Sequence, residues 1–169
     1  MLEIGQVNER QIFYIKVRTE RNWFDELPYG NWIAFTVADL NDKELLVAAV
    51  PRCIDRLVAY TCSAGQLAAY TEDLFDEEIS NRVIKVESEI DSLCNFETSS
   101  ITTIHQNFSE GFWFASVVAF ADQKEIDKVV CLDFTNQGVK KQLLNLILKI
   151  KHVWLPSEDE VEQPLYDSN

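Results

Sequence analysis

Glycine and proline are scarce, 5 and 4 among 169 residues, so the chain has too few breakers for a collagen-like or linker-rich protein. No long hydrophobic run is present either. The longest apolar stretch, Phe112 to Ala121, is ten residues interrupted by Ser116, too short to span a bilayer. Met1 to Gln6 has neither the basic nor the apolar region of a secretory leader, so neither export nor membrane insertion is expected. The four cysteines, Cys53, Cys62, Cys94 and Cys131, form no C-x-x-C pair and have no histidine at zinc-motif spacing, so no metal is expected. Cys53, Cys62 and Cys131 lie in apolar runs where a free thiol packs as a small hydrophobe, which fits a reducing, cytoplasmic compartment. Neither G-x-G-x-x-G nor G-x-x-x-x-G-K-[ST] occurs, so the usual cradles for dinucleotides and triphosphates are missing and no cofactor is expected.

What is present is a globular composition, 47% hydrophobic and 11% aromatic, with a pronounced acidic imbalance. Lys and Arg total 15 against 28 Asp and Glu, a formal charge of −13. The charge is localised. Residues 72–97 hold 9 acids against Arg82 and Lys85, and residues 155–169 hold 5 acids and no base; the rest of the chain is close to neutral. A field of this sign repels phosphate backbones and disfavours nucleic-acid binding. It attracts a basic protein, or it serves only to keep the chain in solution.

The order of elements follows from pattern. Residues 12–17 and 101–105 are rich in strand formers, and 32–38, 57–62 and 129–134 are near-continuous apolar runs of strand length, as in strands covered on both faces. Residues 18–29 suit a loop with a short helix. Asn41 and Glu44 make a capping box for a helix that Pro51 should kink or shorten. Further helices are expected over 66–79, after Asn107 or Ser109, and over 138–153, where Val139, Leu143, Leu146, Ile147 and Ile150 share one face. Residues 82–86 suit a short strand, and 87–100 an acidic connection. Strands alternating with helices predict an α/β fold, a three-layer open sheet of four to six mostly parallel strands with helices on both faces. Residues 1–156 read as one such domain, and 157–169 as an acidic, mobile tail without an apolar face.

The segment Thr102-Thr103-Ile104-His105, followed after a turn by Ser109-Glu110-Gly111-Phe112-Trp113-Phe114-Ala115, resembles a pattern in an uncharacterised bacterial family of small α/β domains of unknown function. The resemblance extends over about residues 32–135, with the strand end Tyr60 to Cys62 as a second point of likeness. It implies a fold and no activity.

Open α/β sheets bind ligands at the carboxyl ends of their strands, where this sequence places Asp39, Cys62, Ser63, His105 and Thr135. Cys62 as nucleophile with His105 as base would make a small hydrolase or transferase; the alternative is that Cys62 packs and His105 hydrogen-bonds near a strand end. His152, beside Lys151, suits a helix end. Glu72, Asp73, Asp76, Glu77, Glu78, Glu87, Glu89 and Asp91 form the acidic cluster, and Trp23, beside Phe24, is a candidate exposed anchor. With no catalytic signature evident, the favoured expectation is a non-enzymatic binding protein for a basic partner, most plausibly an immunity protein that neutralises a bacterial toxin. The remaining alternative is a structural or regulatory subunit that forms a homodimer through the apolar face of residues 139–154.

Overall fold

A computed structural model describes residues 1–18, 22–40, 43–89, 100–121 and 125–157, with the backbone alone for 85–89. Six strands form one sheet: β1 (Leu2–Val7), β2 (Arg10–Lys16), β3 (Trp32–Val37), β4 (Tyr60–Ala64), β5 (Ile101–Ile104) and β6 (Lys128–Asp133). Their order is β1-β2-β6-β3-β4-β5; every pairing is parallel except the β1–β2 hairpin. The expected α/β architecture is therefore the observed one.

The helices divide between the two faces. α1 (Lys43–Asp55) and α2 (Ala68–Glu89) cover one face, where Leu46, Val50, Cys53 and Phe75 pack with Trp32, Ala34, Val130 and Leu132. α3 (Phe108–Trp113), continued by a π-helical turn over Phe114–Val118, and α4 (Lys140–Lys151) cover the other, where Phe108, Phe112, Leu143 and Ile147 meet Ile33, Phe35, Val129 and Cys131. All six residues of β3 are buried, which accounts for its unbroken apolar run. In α4 the 3.6-residue period of Val139, Leu143, Leu146 and Ile147 is used on the sheet. That burial takes up most of the face expected to serve self-association, although Leu144 and Leu148 stay exposed on the outside.

Several local expectations need correction. The amino-terminal segment forms β1, an antiparallel edge strand with a register break between Glu3 and Gly5. It turns into β2 through Asn8 and Glu9, both at positive φ (46° and 68°), the geometry a two-residue hairpin requires. Residues 82–86 are helical, because α2 runs on to Glu89: Arg82 bonds Glu78 one turn back at 2.7 Å and Asp55 of α1 at 2.8 Å. Pro51 lies inside α1 without ending it. The carbonyl its missing N–H strands belongs to Val47, an exposed residue whose backbone water can solvate.

The chain order places the reversal of winding between β3 and β6. From β3 it proceeds outward to β4 and β5, then returns through α3 to β6 on the opposite side of β3. The carboxyl ends of β3 and β6 and the edge strand β5 are thus the places where functional groups would gather.

Candidate functional site

At the carboxyl end of β6, Asp133 is fully buried and its two oxygens accept five hydrogen bonds. Oδ1 accepts from Lys16 Nζ (3.2 Å), the Thr135 N–H (2.9 Å) and the Thr135 hydroxyl (2.7 Å); Oδ2 accepts from Tyr14 Oη (2.5 Å) and the Val139 N–H (2.9 Å). The Val139 bond supplies a donor of the α4 amino terminus with an acceptor. Burial and then the Asp133 carboxylate push the Tyr14 phenol well above its usual range. Thr135 is therefore committed to shaping this turn, accepting from the Gly138 N–H at 3.1 Å as well. Ser63, also at a strand end, is buried and shares a 3.2 Å hydrogen bond with Thr36.

A second polar cluster stands where β5 meets α3. Thr103 and Cys62 are register partners across β4 and β5, and His105 lies two residues beyond Thr103 on the same side of the strand. His105 is buried, with Nδ1 2.7 Å from Glu110 Oε2 and Nε2 3.1 Å from Thr103 Oγ1. Its ring lies 4.9 Å from that of Phe114 at a tilt of 44°, and Gly111 packs against its Cβ so closely that a methyl group there would stand 2.9 Å away. Both ring contacts are satisfied with the proton on Nδ1, which donates to Glu110 while Nε2 accepts from the Thr103 hydroxyl; that hydroxyl also lies 3.1 Å from the Thr61 carbonyl.

The expected pair of Cys62 and His105 is thus brought to neighbouring strands, but Thr103 occupies the position of His105's partner at Nε2. Cys62 lies inside β4 and is fully buried; burial pushes its thiol up to about 12, and the nearby Glu110 adds to this. A neutral, covered thiol is a poor nucleophile. Asp39 follows β3 and is half-buried. His152 sits at the carboxyl end of α4, where Nδ1 is 2.7 Å from the Leu148 carbonyl, the helix-end role its position implied.

Sequence reasoning assigns no site role to Thr103, Glu110 or Arg10. Arg10, at the start of β2, reaches under the π-helical turn and donates to the Ala115 carbonyl at 2.9 Å and to the Ala119 carbonyl. Nothing in the local pattern of a strand's first residue announces that contact, which spans more than 100 positions of sequence.

The acidic residues are distributed along α2. Glu72 and Asp76 lie one helical turn apart on the β5 side of α2, where Asp76 Oδ1 accepts the Thr102 hydroxyl at 2.6 Å. Burial, then Asp76 and Asp73, raise the Glu72 carboxyl above its usual value. Asp73 and Glu77 are exposed one row further out, and the exposed Ile84 continues that row. Glu78 turns toward α1 and pairs with Arg82. The side chains of Glu87 and Glu89, and Asp91 altogether, lie outside the described residues, as does most of the expected tail. Trp23 is a correction: it is only 6% exposed, packed edge-on to Phe24 at 6.1 Å beneath α1, so it belongs to the core and offers no surface anchor.

Among the described residues, no group of three or more His, Cys, Asp or Glu side chains is arranged to hold a metal ion, and no helix is long and apolar enough to cross a membrane. A depression of about 420 Å³, lined by no residue of either cluster, lies between the β1–β2 turn (Gln6 to Glu9), Val117 and the end of α4 at Ile150 and Lys151. A family model for a domain of unknown function, DUF7684, matches residues 12–150. No curated protein and no solved structure matches the chain.

Proposed function

Since the chain belongs to the DUF7684 family, a domain of unknown function, we propose that it is a non-enzymatic, cytoplasmic binding protein whose α2 face engages a basic protein, in the manner of an immunity protein neutralising a toxin. The observation that carries this reading is the crowding of carboxylates on one side of α2. Asp73, Asp76 and Glu77 are exposed, and Glu72 beside them is held above its usual value partly by Asp76 and Asp73. The one described basic side chain of that helix, Arg82, points away and is paired with Glu78 and Asp55. Such a face lowers its electrostatic energy when a cationic surface covers it, and it accelerates the encounter.

The test is capture of partners from host extract by the wild-type protein and by a variant carrying Asp73→Asn, Asp76→Asn and Glu77→Gln. The reading expects a basic protein retained at low salt, lost from the variant, and toxic to cells unless this chain is co-expressed. Equal capture by both forms, or no basic protein in either, overturns it.

One observation favours a second reading, a small hydrolase or transferase: the 2.7 Å pairing of Glu110 with His105 is the orienting contact a general base needs. Burial of Cys62 weighs against its use as the nucleophile. Rapid alkylation of Cys62 in the native protein would support this reading, whereas a silent thiol leaves the cluster a structural one.

A further inference from the structure

β5 is an edge strand, and its inner pairing is explicit: the Ile101 N–H bonds the Ala59 carbonyl at 3.2 Å and the His105 N–H bonds the Ser63 carbonyl at 2.9 Å. Parallel strands alternate, so residues 101, 103 and 105 point their main-chain groups at β4, and Thr102 and Ile104 point theirs outward. That leaves two N–H and two C=O groups aimed away from the sheet, and among the described residues none pairs with them. On either side of this edge stands an isoleucine, Ile101 at 42% and Ile104 at 45% exposure.

The two edges of the sheet are not alike. β1, the opposite edge, breaks its register between Glu3 and Gly5 and carries a charged residue, two devices that discourage further strands from adding. β5 has no charge, proline or bulge in its four residues. Its α2 side is instead bordered by Glu72 and Asp76, with the Asp76 carboxylate tied to the Thr102 hydroxyl of the strand itself.

Resting on the reading of α2 as the recognition face, we infer that the outer edge of β5 is a strand-addition site for an extended, basic segment of the partner. The segment's main chain pairs with Thr102 and Ile104, its Lys or Arg side chains lie over Glu72 and Asp76, and its alternate apolar side chains cover Ile101. Charge selects this occupant over a second copy of the chain. Joining two β5 edges would bring two acidic α2 helices together, whereas a cationic strand neutralises the one that is there.

The probe is a blocked octapeptide of alternating lysine and valine, titrated into the full chain at low and at physiological salt and followed by calorimetry and by amide hydrogen exchange. Expected are binding that weakens with salt and slowed exchange at the Thr102 and Ile104 amides. Ile104→Pro removes an outward N–H while leaving every β4–β5 bond in place, and it should weaken binding about tenfold or more. Glu72→Gln with Asp76→Asn should do the same, because the side-chain amide oxygen that Asp76→Asn introduces still accepts from Thr102 and only the charge is lost. Thermal unfolding establishes that each variant is folded; the exchange measurement on the wild type decides the question if Ile104→Pro is not. Peptide binding that the charge variant loses, with no slowing of exchange at 102 and 104, overturns strand addition and leaves the basic-partner reading intact. No binding at low salt overturns strand addition by a basic segment, while the capture experiment decides the basic-partner reading on its own.

Discussion

Tyr14 Oη and Asp133 Oδ2 stand 2.5 Å apart, so the end of β2 and the end of β6 are joined through side chains as well as through the sheet ladder. Four more donors converge on the same carboxylate, and one of them begins α4. Removing the acceptor strands all five in a buried site, so Asp133→Ala is expected to cost about 3–5 kcal/mol of folding stability. Tyr14→Phe removes one of the five donors to the carboxylate and should cost about 1.5–3 kcal/mol. Urea unfolding of the two variants measures both; an Asp133→Ala loss no larger than that of Tyr14→Phe would mean that water replaces the network.

Gly111 is required by closeness. A Cβ there would stand 2.9 Å from His105 Cβ, 3.1 Å from its Cγ and 3.3 Å from the Phe35 ring, and none of these is the free end of a flexible side chain. Helix propensity alone would favour alanine by about 1 kcal/mol. Overpacking should reverse that sign, with Gly111→Ala destabilising by about 1–3 kcal/mol and loosening the His105 to Glu110 contact. Thermal unfolding and the ring-proton shifts of His105 report the two effects. A stabilised variant would show that α3 can slide away from β5.

The same contact explains what could be read in advance. His105 and the glycine that covers it lie in one short stretch, so the chemistry of the β5–α3 junction is visible in the residues themselves. Its partner at Nε2, Thr103, lies two residues back on the same face of the strand, but which residue of β4 stands beside them depends on strand register, which hydrophobic period does not specify. β3 and β6 were legible because burial on both faces leaves unbroken apolar runs. β1 was not: its alternation is interrupted at Gly5, and the turn that pairs it uses Asn8-Glu9 in place of the Asn-Gly that marks such hairpins. The far half of α2 reads as a strand from Val83, Ile84 and Val86, because the Arg82 bonds to Glu78 and Asp55 that hold it helical depend on α1 packing beside it. Trp23 looked available because it neighbours loop residues, yet a 3-10 turn over Phe24–Glu26 folds it under α1.

Arg10 holds the π-helical turn from below. Its guanidinium satisfies carbonyls of Ala115 and Ala119, and burial lowers its pKa from the usual arginine value. Arg10→Met keeps most of the apolar stem and deletes both charge-assisted hydrogen bonds, each of order 1.5–3 kcal/mol. Because Arg10 is only half-buried, solvent screening discounts their sum, and the expected result is a loss of about 2–4 kcal/mol, with amide exchange accelerated over Phe114–Val118 before the rest of the sheet. Acceleration spread uniformly over all strands would mean that the turn is held by its aromatic packing instead.

Alkaline lability is the counterpart of the buried thiols. Burial pushes Cys53 and Cys62 up to about 12 and raises Cys131 as well, while an unfolded chain exposes thiols that ionise near 8.5. Between those values the folded protein holds protons that the unfolded chain gives up. The neutral thiols therefore stabilise the fold fully below about pH 8.5, and that stability declines as pH rises toward about 12, by at most about 1.4 kcal/mol per pH unit for each thiol. Melting temperature should fall from pH 8.5 to 11, and Cys53→Ala should make the decline shallower even though it lowers stability at pH 7. At pH 8, in a Cys94→Ser background that removes the fourth thiol, Ellman's reagent should find none of the remaining three until denaturant is added. A flat melting profile, or a thiol that reacts in the native state, would show that solvent reaches the interior.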